Sequence, residues 1–572
     1  MRFLVRAGLA LALSLASAAA QSAQKSPEPD RNAFTFLDWN LNVRIETQAE
    51  SLAVRGKVTV RNDSAQPQRF LALQISSSLK WAAIKQNGSS IPFTTSTVRS
   101  DLDHSGNVQE AIVTLAAPVP PGSALEIEVG YSGTVSLDTT RLAQLGVPLA
   151  VRVATDYDRI TPGFTCLRGV GHVLWFPVSI RPAILSEGNR VFEETSAWAV
   201  RHSLSTMQIQ IETDSSARVL SNAQVRRIEF EGSSVTTRSH MWRHLGLAGP
   251  LLVAGPYAAT AEQQETAKVA FGVNYLPDHQ TEAQDYARVV RETTPMVIGK
   301  SDFPASLIEL PEAQDITFEA DTVLLTPLKT IDRKSLEVTI AYLLTHKTLW
   351  SPRPWIYAGA AHLAQALTRE QQDGRAAAIG YMQQRLTPLL LGDSGAPETA
   401  KSNSLVNTTS EVFFRTKAMY VWWMLREIVG QRALLDSLQQ YDPDADKEPS
   451  YIQKLLEKNS HKDLEWFFDD WVYQDRGLPE FTATNGYARR SLQGIFLVSA
   501  TIENKGGAAA EVPVIVHTDA GDVPTRQRVP ARSKVAVRIE VGSRPIDVTV
   551  NDGSVPEVDR SDNATPVKIA NQ

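Results

Sequence analysis

Tyr342 and His346 stand four residues apart in the run Tyr342-Leu343-Leu344-Thr345-His346, a spacing that puts both side chains on one face of a helix. Metal chemistry uses that spacing: in H-E-x-x-H two imidazoles share one ion while the Glu beside the first activates the ion's water. In this chain only the second imidazole is present. A phenol such as Tyr342 has an ordinary pKa of about 10, so without a strong cation beside it the neutral form prevails. Leu343 cannot take a proton. A second run, Trp355-Ile356-Tyr357-Ala358-Gly359, follows, and its Ala358 offers no donor atom. His362, four residues after Ala358, lies on the same face one turn later. Tyr342, His346 and His362 with a carboxylate from elsewhere would make a salvaged metal site, and a hydrogen-bonded core histidine is the plainer reading of His362. His240 and His244 are also four apart, but their flanks favour a strand and a turn. On a strand such positions lie roughly 13 Å apart, at about 3.3 Å per residue, too far to share one ion.

Three further runs accompany these. They are Arg415-Thr416-Lys417-Ala418 with the apolar stretch Tyr420 to Leu425 behind it, Asp463-Leu464-Glu465-Trp466-Phe467-Phe468-Asp469-Asp470-Trp471, and Ile316-Thr317-Phe318-Glu319-Ala320. Together with the first two runs they resemble the aminopeptidase N family of gluzincin zinc metallopeptidases, in a degenerate form. The resemblance implies that Tyr342 takes the first ligand position, Leu343 that of the general base, His346 the second ligand and Ala358 the third, over a connection about two helical turns shorter than the family's. Arg415 takes the position of the tyrosine that holds the tetrahedral oxyanion, and an arginine can still donate to an oxyanion. Glu319 matches the Glu that grips a substrate's free amino group. The Asp463 run has no catalytic duty in the family and speaks for descent. Apart from the Glu319 run, these motifs sit between residues 335 and 475, and the rest of the chain resembles the family by architecture.

At 572 residues the chain is too long for one domain and implies three or four. A hydrophobic fraction of 43% and a charged fraction of 21% are those of soluble globular proteins. A formal charge of -6 gives no support for nucleic acid or an anionic membrane surface as partner. Arg2 and Arg6, an apolar stretch over 7–15 and Ala18-Ala19-Ala20 read as a cleavable signal peptide over 1–20, which implies export to a bacterial periplasm or the medium. No later stretch has the length of about 20 apolar residues that a spanning helix needs. Cys166 is the single cysteine, so stability comes from packing.

The elements that must position the site follow from the pattern. Residues 41–45, 52–60 and 124–129 alternate like half-buried strands. Residues 161–177, with Cys166, Arg168, Gly169, Gly171, His172 and Trp175, read as a Gly-rich bend packed under an aromatic. Leu336, Ile340, Leu343, Leu344 and Leu349 space like the buried stripe of one helix, and Ile356, Ala360, Leu363 and Leu367 like the next. Ser410 is the expected N-cap of a helix over 411–428. From 496 to 550 short strands and turns read as a small β-sandwich. The expected fold class is multidomain α+β: a signal peptide over 1–20, a disordered linker over 21–33, an N-terminal β-saddle over 34–262, a thermolysin-like α/β peptidase domain with a helical extension over 263–480, a C-terminal small β-sandwich over 481–558, and a disordered tail over 559–572.

Losing the base and two ligands removes both the Lewis acid and the nucleophile. The expectation is a protein without a metal cofactor that has lost peptide hydrolysis and binds a peptide or protein in a cleft lined by Arg415, Tyr342 and Glu319. The alternatives are a zinc-dependent aminopeptidase using displaced ligands, and a non-catalytic extracytoplasmic scaffold.

Overall fold

The computed structural model describes residues 28–213, 217–228, 237–260, 271–296, 305–329, 332–392 and 404–570. The expected signal peptide lies outside them. The chain is multidomain α+β, with a β-rich N-terminal part, a mixed sheet with helices in the middle and a C-terminal β domain.

In the N-terminal part the strand Phe34–Glu46 runs between Ser51–Asn62, antiparallel, and Thr206–Thr213, parallel, in an eight-stranded sheet. Its alternation sends Trp39, Leu41, Val43 and Ile45 inward. The helix Arg190–His202 covers that face: Trp39 meets Trp198 at 6.5 Å and His202 at 6.1 Å between ring centroids. His240 lies on the strand Thr237–Trp242, as its flanks require, with its Nδ1 2.7 Å from the Ser221 hydroxyl. The glycine-rich bend packs as a bend: Gly169 has φ +86°, and a Cβ there would stand 3.2 Å from the Phe176 ring. Arg168 is spent on the buried Asp158 carboxylate.

The expected disordered linker is ordered at its end, where the Arg31 guanidinium donates to both oxygens of Glu110 at 2.7 and 2.9 Å. The boundary expected at 262 falls outside the described residues. Ala258–Ala259 already pairs with Gly272–Tyr275 in the next sheet.

That sheet has five strands in the order Ala258–Ala259, Gly272–Tyr275, Ser306–Glu309, Val323–Thr326, Phe318–Ala320; the inner three are parallel and the edges antiparallel. The helices Gln280–Glu292 and Arg333–Thr348 share a core with it that includes Val273, Tyr286, Leu307, Leu324, Ile340 and Leu343. A second layer of helices begins with Pro354–Asp373. A Cβ on Gly359 would stand 2.6 Å from the Ala418 Cβ, so a glycine there lets Pro354–Asp373 approach Ala418–Val429 closely. Trp355 then stacks on Trp422 at 5.1 Å. Among the described residues no helix is long and apolar enough to cross a membrane.

The C-terminal part is two four-stranded sheets sharing one core with the helices. Trp471 donates its indole N–H to the Ala509 carbonyl at 2.7 Å across the junction. The expected tail corrects to structure: Ala564–Pro566 pairs with Pro545–Val550, and Lys568–Ile569 pairs with Phe481–Arg490. Its polar composition reads as disorder, yet each piece covers an edge strand whose backbone groups would otherwise lack partners.

Candidate functional site

The helix Arg333–Thr348 lies between the sheet and Pro354–Asp373, so its 342–346 stretch is buried all round. Leu343 is 0% exposed within the sheet–helix core. His346 lies flat on Tyr357, with centroids 4.0 Å apart and planes 13° from parallel. Its Nδ1–H donates to the Asp321 carbonyl at 3.2 Å, and its Nε2 is buried without a hydrogen-bond partner. Burial lowers its pKa to about 3, so the ring is neutral. The Tyr342 ring stands 4.4 Å from His346 and 5.2 Å from His362. Burial pushes its phenol up, against the opposing pull of Arg415. The position matched to the third ligand, Ala358, is 2% exposed.

Arg415 comes from a different kind of element. Residues Val412–Lys417 form π-helical turns ahead of Ala418–Val429, and the expected Ser410 side-chain cap is not made; the Ser410 carbonyl instead accepts from the Phe413 and Phe414 amides at 3.1 Å each. The wider turn aims the Arg415 guanidinium across the helices. Its Nε–H donates to His362 Nε2 at 2.8 Å, its Nη2 to Glu319 at 3.3 Å, and its Nη1 to Glu411. His362 Nδ1–H in turn donates to Gln365 Oε1 at 2.8 Å, which also accepts from the Tyr381 hydroxyl at 2.7 Å. Burial, then Arg415, hold the His362 pKa well below its ordinary value. A neutral ring with its proton on Nδ1 satisfies both contacts. Glu319 stands on the edge strand Phe318–Ala320.

Glu319, His362, Glu411 and Arg415 open on a cleft of about 870 Å³ that also takes Phe192 and Glu193 from the N-terminal part and Leu391 from the helix Leu386–Gly392. The fold therefore brings Glu319 and Arg415 together in the cleft and leaves Tyr342 behind them, only 5% exposed. This corrects the expectation that Tyr342 lines it: the helix carrying Tyr342 is covered on both sides. Neither Tyr357 nor Glu411 was read as a site residue from the sequence. Glu411 carried a signal, since it precedes Arg415 by one helical turn.

The zinc that the resemblance implies does not fit these residues. His346 offers one nitrogen, Ala358 none, Tyr342 a neutral phenol, and the His362 lone pair already accepts from Arg415. Among the described residues no three His, Cys, Asp or Glu side chains gather as a metal site.

No family model matches the chain. No curated protein matches it either. Solved structures do. One is a mutant M1 zinc metallopeptidase from Deinococcus radiodurans bound to a Tyr-Ser-Ala substrate, 16% identical, covering 76% of this chain and 92% of that one with a TM-score of 0.48. Another is an M1 zinc metallopeptidase from the same organism, 16% identical, covering 76% and 93% with a TM-score of 0.46. At these values the likeness assigns no role to any residue of this chain.

Proposed function

We propose that this is an exported protein of peptidase-like architecture that does not hydrolyse peptides, needs no metal cofactor, and binds a peptide or protein segment in the cleft beside Arg415. The observation that carries the reading is the Arg415 guanidinium, fixed by His362, Glu319 and Glu411 where the site faces solvent. The cleft keeps what binding needs: an open concavity, apolar walls at Phe192 and Leu391, and polar groups at its floor. Behind it Leu343 has no proton-accepting atom, so the positions matched to hydrolysis have become packing. Export is part of the proposal and rests on the leader-like residues 1–20.

The test is the zinc content of the purified chain lacking residues 1–20, before and after dialysis against zinc, with His346→Ala beside it and aminoacyl reporters assayed in parallel. The expected result is near-zero zinc in both proteins and no turnover. About one zinc per chain that is lost in His346→Ala, together with chelator-sensitive hydrolysis, would replace this reading with a displaced-ligand hydrolase.

A further inference from the structure

The C-terminal β domain carries a face that neither the cleft nor the fold accounts for. In the sheet Ser533–Val541, Phe496–Asn504, Phe481–Arg490, Lys568–Ile569, alternate residues turn away from the sandwich core. One row across it reads Arg538, Ser499, Tyr487, Lys568, and the next reads Glu540, Leu497, Arg489. Tyr487 and Leu497 are 38% and 43% exposed. Beyond them the hairpin turn carries Ile495 and Leu492, the latter 103% exposed and so left bare by the other described residues. Arg489, Arg538 and Lys568 have no ion-pair partner among the described residues, and the Glu503 carboxylate on this face is paired with Lys534 at 3.1 Å. Three cations and one carboxylate, Glu540, therefore flank the exposed Tyr487 and Leu497, in two neighbouring rows, on a chain whose overall charge is -6.

We propose that this face is a membrane-docking surface for an anionic phospholipid bilayer. A projecting hairpin with a bare leucine at its end has no concavity to hold a peptide, but it can sink into a headgroup layer. Arg489, three residues back from Leu492, and Lys568 and Arg538, one outward-facing row behind it, then face the headgroup phosphates. The small net charge of the whole chain does not exclude a local patch of this kind. No spanning helix is required: the tip supplies apolar burial and the arginines and lysine supply attraction that salt weakens. The proposal is independent of what the cleft binds.

The test is co-sedimentation of the full mature chain with vesicles of equimolar phosphatidylcholine and phosphatidylglycerol, against vesicles of phosphatidylcholine alone, in low and high salt. The expected result is binding to the anionic vesicles that falls with salt. Leu492→Asp and the double variant Arg489→Glu/Arg538→Glu should each lower the bound fraction by about 10-fold, the size expected for losing one buried leucine or reversing two charges. All these side chains are exposed, and unchanged thermal melting of the variants verifies their fold. Absence of vesicle binding, equal binding to neutral vesicles, or binding that Leu492→Asp leaves intact would overturn the proposal. So would competition by inorganic phosphate or soluble polyglutamate that abolishes binding regardless of Leu492, since either assigns the patch to a soluble anion.

Discussion

His346 and His362 are two buried, neutral imidazoles on neighbouring helices, both close to the Tyr342 ring, yet one closes a core and the other opens on a cleft. His346 is sandwiched by aromatic rings, with one nitrogen on a backbone carbonyl and the other unpartnered. His362 has both nitrogens engaged, and its partner Arg415 is itself shared with two carboxylates at the edge of solvent. The residues matched to metal and base have joined the interior. Those matched to substrate contacts, Glu319 and Arg415, still line an open concavity. The two kinds of position have separated physically, and the proposed reading, binding without hydrolysis, rests on that separation.

The sharpest way to break the contrast is to place a carboxylate at Leu343, the position matched to the base. Leu343 is 0% exposed among apolar side chains, so Leu343→Glu must bury a carboxyl with no partner. The expected cost is on the order of 4 kcal/mol or more, read as a lower urea midpoint, with no gain of peptidase activity. A variant as stable as the parent would mean that the interior around Leu343 is wet and that the helix still faces a cavity.

The difference between the two sites was partly legible in the chain. The four-residue spacing puts Tyr342 and His346 on one face of a helix, and the structure has that helix; the edge position of the strand that carries Glu319 appears only in the fold. The 240–244 pair is likewise strand and turn, as its flanks indicate. What could not be read was contact between distant segments. Tyr357 reaches His346 only because two helices pack at one particular rotation, and Arg415 reaches His362 across 53 residues of chain through π-helical turns that no local spacing announces. The edge-strand role of residues 564–569 was hidden for the same reason: pairing, not composition, orders them.

Acid sharpens the comparison from the closed side. The His346 pKa falls from 6.5 to about 3 through burial, so between those values the unfolded chain holds a proton that the native chain lacks. His346 therefore contributes stability that is fully present above pH 6.5 and is lost as pH falls toward 3, with a slope of about 1.4 kcal/mol per pH unit for one proton. Asp321 acts in the opposite sense: burial raises its carboxyl from 3.8 to about 6, so its contribution declines as pH rises through that window. Comparing urea unfolding of the parent with His346→Phe isolates the histidine. The variant should lose up to that slope over the range where the ring would charge, apart from about 1 kcal/mol at every pH for the Asp321 carbonyl bond. Parallel curves for the two proteins would mean that His346 is hydrated and titrates freely.

The open side should answer mildly. The Arg415–Glu411 pair has side chains 30% and 47% exposed, and pairs of that kind contribute about 1 kcal/mol or less because water screens them. Glu411→Gln should therefore shift the urea midpoint by no more than about that amount, while leaving the Arg415 contact to the buried His362 nitrogen in place. The stability change is the smallest of the three, and its smallness is the point. A carboxylate that costs little to neutralise is free to exchange its bond to Arg415 for one to a ligand, whereas the groups around His346 are fixed by everything packed against them. A loss of more than about 2 kcal/mol in Glu411→Gln would put Glu411 among the core-supporting groups and erase the distinction between the two histidine sites.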